Sequence, residues 1–117
     1  MAFGGVADFS LQTLASGGSA ILAGGANVFP RLCVHIFNLW GAGRFAEAME
    51  VQQLLSTADW LLTKTAISGT KAAIQSNHDY GGYPRRPLKR PSAAQTQAVA
   101  EGIKEAMGME AALNDVV

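Results

Sequence analysis

The hydrophobic pattern changes period along this chain. Ser19 to Ala23 (SAILA) is an unbroken apolar run, short enough for a strand buried on both faces. After Pro30 the apolar residues Leu32, Cys33, Ile36, Phe37 and Trp40 fall at i, i+1, i+4, i+5 and i+8, which is one face of a helix. Between them stand Gly24, Gly25, Ala26 and Asn27, which continue neither pattern. Small residues there let a backbone come close to another chain or a ligand. Pro30 suits the first turn of a helix, where its missing N–H costs nothing. A strand feeding a helix through a glycine-rich turn is half of a β/α unit, and the stretch Gly17–Trp40 organises the rest.

Upstream, Ala2 to Ala7 reads as the tail of a second strand. Asp8 is placed to cap a helix over Phe9–Ala15, which Gly17 and Gly18 end. Downstream, Gly41, Ala42 and Gly43 break the chain before its longest periodic segment, Arg44–Lys64. There Phe45, Ala48, Met49, Leu55, Ala58, Leu62 and Ala66 keep close to a 3.6 period, widened by Leu54 and Leu61, with Glu47, Glu50, Gln52, Gln53 and Asp59 mostly off it. Ser68-Gly69-Thr70 predicts a bend, and Lys71–Ser76 a short helix. Asn77–Pro91 holds three prolines and no period, so it is a loop. Ser92 is a good N-cap for a last helix to Met107, with Val99, Ile103 and Met107 as its stripe and Gly108 as its stop. Met109–Val117 is expected to fray.

At 117 residues this is one domain at most. Nine basic residues balance nine acidic ones, so no field of one sign steers nucleic acid or an anionic membrane. The charged fraction is 15%, below the usual ~25%, which implies apolar surface covered by something, such as another subunit. The lone Cys33 rules out a disulfide framework and a thiolate metal site, and reads as a buried small hydrophobe. MAFGGVADFS lacks the basic start of a signal peptide, and no run approaches the ~18 apolar residues of a membrane span. A cytoplasmic protein without cofactor, nucleic acid or membrane is the expectation.

GGSAILAGGANVFPRLCVHIFNLW, then AEAMEVQQLL, ISGTKAAI and YGGYPRRPL, in this order and at this spacing, resembles the C-terminal part of the dihydrodipicolinate synthase / N-acetylneuraminate lyase family. The wording is similar to its fungal members, including keto-deoxy-sugar-acid aldolases. The resemblance implies a mainly α chain: the last two β/α units of a (β/α)8 barrel over 1–43, and the helical extension over 44–117. It implies a class I lyase, in which a Lys forms a Schiff base with a 2-oxo acid, usually pyruvate. That Lys lies at the end of strand six, and the Tyr relay and carboxylate-binding turn lie earlier. All are upstream of residue 1. A complete barrel takes roughly 250 residues.

By the same resemblance, substrate would meet Gly5 after strand seven, the main-chain carbonyl of Leu22, and Gly24. The reading without a ligand is that the glycines only permit tight strand–helix packing. Lys64, Lys71, Lys89 and Lys104 sit on polar helix faces or in the loop, and none is expected to be catalytic. His35 falls at a helix rim, and His78 with Asp79 is too small a cluster for a metal. Arg85, Arg86, Lys89 and Arg90 could hold phosphate, but the prolines among them favour a solvated or packed arm. Two functions remain: an inactive C-terminal portion of a pyruvate-type aldolase, or a stand-alone helical module that works by self-association. In either, Gly4–Gly25 is expected to be the least stable region.

Overall fold

The computed structural model describes residues 1–114. Two short parallel strands, β1 (Phe3–Gly4) and β2 (Ala20–Ile21), pair with Phe3 beside Ala20 and Gly4 beside Ile21. The crossover between them is a 3-10 turn (Ala7–Phe9) leading into α1 (Ser10–Ala15). Gly17 takes φ +82° just past α1, the left-handed exit expected of it. After β2 a 3-10 turn (Gly24–Asn27) leads into α2 (Pro30–Gly41), with Pro30 in its first turn. The rest is helical: α3 (Phe45–His78), α4 (Ala93–Gly102) and α5 (Lys104–Ala112). No helix among the described residues is long and apolar enough to cross a membrane.

One core joins all these elements. Ala7 and Leu11 meet Phe29, Leu32 and Ile36 of the α2 region, Leu55 and Leu62 of α3, and Val99 and Ile103 from the C-terminal helices. Each buried Leu or Ile contributes ~1.5–3 kcal/mol. The helical stripes differ from the periodic reading. On α2 the buried residues are Leu32, Ile36 and Leu39, while Phe37 is 51% exposed. On α3, Phe45 and Met49 are exposed; Val51 joins the stripe, and so do the polar Gln52 and Asp59. Phe45 lies against Trp40 across the α2–α3 corner, with ring centroids 4.8 Å apart.

The break in α3 falls at Ala66, at φ 51° and ψ −145°, rather than at Ser68–Thr70. The Thr65 hydroxyl donates to the Leu61 carbonyl at 2.8 Å and sits 3.2 Å from that of Leu62, competing with the helical ladder there. The helix then resumes and reaches His78, where a loop was expected from Asn77; Asp79, in the left-handed region, ends it. Ser92 caps α4 as expected, with Gln95 completing a reciprocal pair. The last helix does not end at Gly108. It breaks at Ile103, and α5 passes through Gly108 to Ala112, because Ala106 and Glu110 are buried against the rest. Of the stretch expected to fray, 115–117 lie outside the described residues.

Candidate functional site

Helices α1 and α2 begin at Ser10 and Pro30 with no side-chain cap of their own. Their first amides still need acceptors, and α3 and α5 supply them. The Asp59 carboxylate accepts from the amides of Ala7 and Asp8, each at 3.1 Å. Gln52 accepts from the Leu11 amide at 2.7 Å and donates to the Ala7 carbonyl at 3.0 Å. Ser56 donates to the Asp8 carbonyl at 2.5 Å. At the other end, Glu110 accepts from the amides of Arg31 and Leu32 at 2.9 and 2.8 Å. Asp8 therefore does not cap its own helix; its Oδ1 is buried without a partner. Sequence reasoning missed Gln52, Asp59 and Glu110, having placed the first two mostly off the apolar stripe and the third in a frayed end.

The Asp59 carboxylate also packs on Gly25 so closely that a Cβ there would collide with it. Burial raises the Asp59 pKa; the two amides oppose this, and the charge of Asp8 adds to it. Cys33, half-buried rather than fully buried, has its thiol pushed up to about 12, by burial first and then by the charges of Asp59 and Glu110. Such a thiol is protonated and unreactive at neutral pH.

Above these caps lie the C-terminal ends of the two strands. Gly5 follows β1 and Leu22 follows β2, so the shared register sets them side by side. The Leu22 amide donates to the Gly4 carbonyl at 2.8 Å, and its side chain is 73% exposed. Gly24 opens the next turn, and its carbonyl accepts from the Asn27 side chain at 3.0 Å. Gly24 lines a cleft of about 580 Å³ with Gly25, Asn27, Asp59, Ala66 and Lys71; Gly5 and Leu22 lie outside that lining. Parallel strands present their C-terminal ends to ligands in β/α folds.

The remaining candidates are dispersed. Lys71 is in that cleft, Lys64 and Lys89 line another, and Lys104 is exposed on α5. His35 is half-buried on α2. The His78 ring nitrogen lies 3.3 Å from the Val28 carbonyl. Among the described residues no three His, Cys, Asp or Glu side chains are grouped to hold a metal.

The sequence model of the Dihydrodipicolinate synthetase family matches residues 1–106. The chain belongs to this family. It is 73% identical over 116 residues to the L-threo-3-deoxy-hexylosonate aldolase of Aspergillus niger, covering 99% of this chain and 35% of that protein. A family member from Coccidioides immitis, of known structure, is 31% identical with a TM-score of 0.79, over 96% of this chain and 39% of that one. A variant of the Sulfolobus solfataricus 2-keto-3-deoxygluconate aldolase gives a TM-score of 0.83 at 18% identity, over 95% and 39%, a likeness of fold. The chain thus spans little more than a third of the length of the relatives it matches. The aldolase family, the fungal likeness and the mainly helical fold agree with the sequence reading.

Proposed function

We propose that this chain supplies the last two β/α units, residues 1–43, and the helical extension, residues 44–117, of a Schiff-base 2-oxo-acid aldolase, and that it is inactive alone. The observation that carries the reading is the 73% identity to an aldolase of which the chain covers about a third. The substrate class is pyruvate or a longer 2-oxo sugar acid. In this reading Gly5 leaves room for substrate at the backbone, the Leu22 carbonyl accepts from it, and Gly24 touches its distal part. The amine that forms the Schiff base comes from the remaining barrel strands. Gln52, Asp59 and Glu110 then act as positioning residues, setting the strand-end turns through the helices that follow them.

Pyruvate trapping with borohydride, read by mass spectrometry, tests this. The chain alone should gain no mass. Mixed with the complementary two thirds of the Aspergillus niger aldolase, the adduct should appear on the complement. A trapped adduct on Lys64, Lys71, Lys89 or Lys104 of this chain overturns the claim of inactivity.

A second reading, a stand-alone module working by self-association, has its own observation. The two-stranded sheet has both edges unpaired, and Phe3, Leu22 and Phe37 are exposed beside it. Light scattering on a size-exclusion column decides; a well-folded monomer at all concentrations excludes it.

A further inference from the structure

The basic residues of the 85–90 loop divide into two sets. All four are exposed, but Lys89 and Arg90 line a cleft of about 340 Å³ together with Lys64, Thr65, Ser68 and Gln95, and Arg85 and Arg86 do not. We propose that this cleft is a binding site for a small phosphate monoester that also carries hydroxyl groups.

The charge is one-sided. Lys64, Lys89 and Arg90 all line the cleft, and no acidic side chain does. None of the three forms an ion pair with a carboxylate of the described residues, where the ion pair found is Arg44 with Glu47. In a molecule of zero formal net charge this is a local excess, suited to one compact anion and not to a nucleic-acid backbone. Gathering three cations without a counter-charge is unfavourable, and an anion relieves that repulsion.

The cations are also held. The Arg90 guanidinium stacks on the Tyr83 ring, 4.0 Å from its centroid. Stacking occupies the guanidinium face and leaves its in-plane N–H groups free for an oxyanion. Ser68 donates to the Lys89 carbonyl at 2.9 Å, tying the loop backbone to α3. Lys64 lies over Trp60, 5.6 Å from that ring. Gln95 uses its side-chain oxygen on the Ser92 amide, so its NH2 group remains to donate.

The neutral groups point to the rest of the ligand. The hydroxyls of Thr65 and Ser68 spend their protons on the carbonyls of Leu61 and Lys89 and retain only lone pairs. They can accept from ligand hydroxyls but cannot donate to phosphate. The lining therefore offers donors and positive charge for the head, and acceptors for a hydroxylated body. The site lies on the far side of α3 from the strand ends: residues 64, 65, 68, 69 and 72 face it, while 62, 63, 66, 67, 70, 71 and 74 face the other cleft. It is therefore independent of the aldolase reading.

Isothermal titration of the chain with glucose 6-phosphate, inorganic phosphate and glucose tests the proposal. Glucose 6-phosphate should bind saturably, inorganic phosphate more weakly, and glucose not at all. Replacing both charges in Lys64→Gln/Arg90→Gln should weaken binding roughly tenfold or more, as expected for losing charge-assisted hydrogen bonds. Arg85→Gln/Arg86→Gln removes the same charge outside the cleft and should leave binding unchanged. Equal weakening by both double variants, or no saturable binding by the parent chain, overturns the proposal. All four substituted side chains are exposed, so the fold should tolerate their loss, and helical circular dichroism matched to the parent confirms that a loss of binding reflects the site.

Discussion

A carboxylate withdrawn from water is unfavourable unless donors surround it, and Asp59, 2% exposed, has the amides of Ala7 and Asp8. Burial still dominates, so its folded pKa lies above the ordinary 3.8. The sign follows. Between the unfolded and the raised folded pKa, the folded state holds more protons than the unfolded state. The contribution of Asp59 to stability is fully present below pH 3.8 and is lost as pH rises through the folded value. Asp59→Asn keeps an oxygen that can accept both amides, which share Oδ2 in the native residue. The prediction is that the melting temperature of Asp59→Asn relative to the parent rises as pH goes from acid to neutral. A difference that stays flat, or falls, means that the buried carboxyl is not strained by its charge.

At the scale of elements, most helices were legible because apolar period and end signals agreed. Pro30 opens α2, Ser92 opens α4 and Gly17 closes α1, each by local chemistry. What was not legible is capping in trans. Gln52 and Asp59 are seven apart, hence on one face beside Val51, Leu55 and Leu62, and that spacing was the available signal. A polar residue on an apolar face reads as solvent-facing until its partner is known, and the partners lie 41 to 52 residues away in sequence. The same holds for Glu110, whose amide partners on α2 are 78 and 79 residues away. Because Glu110 satisfies two first-turn amides of α2, Glu110→Ala should cost about 2 kcal/mol, the range of a lost charged cap. Glu110→Gln, which retains one good acceptor, should lose less. Denaturant melts measure both, and no loss in Glu110→Ala would show that the end of α5 is frayed after all.

Over the whole molecule, stability is set by which segments α3 holds. Gly4–Gly25 was expected to be the least stable region, since two strands make no stable sheet by themselves. The structure divides it. Ala7 and Leu11 are core residues whose amides are bound by Asp59 and Gln52, and Gly25 is pressed against Asp59. The backbones of β1 and β2 pair only with each other: Ser19 donates to the Ala2 carbonyl and Leu22 to that of Gly4, with Phe3 and Leu22 open to water and half-buried Ile21 packed at the edge of the core. Opening the strand pair exposes little beyond the half-buried Ile21 side chain, so it needs a small fraction of the global free energy. Releasing Ala7 or Leu11 breaks bonds to the centre of the core. Amide hydrogen exchange on a demonstrated monomer should therefore show fast exchange at Ser19 and Leu22. Ala7 and Leu11 should be protected nearly as well as Leu55 to Leu62. Strand amides as protected as α3 in that monomer would mean that the pair is covered by a segment other than those described. Fast exchange at Ala7 and Leu11 would instead detach the first forty residues from the helical unit and remove the physical basis for treating the chain as one cooperative core.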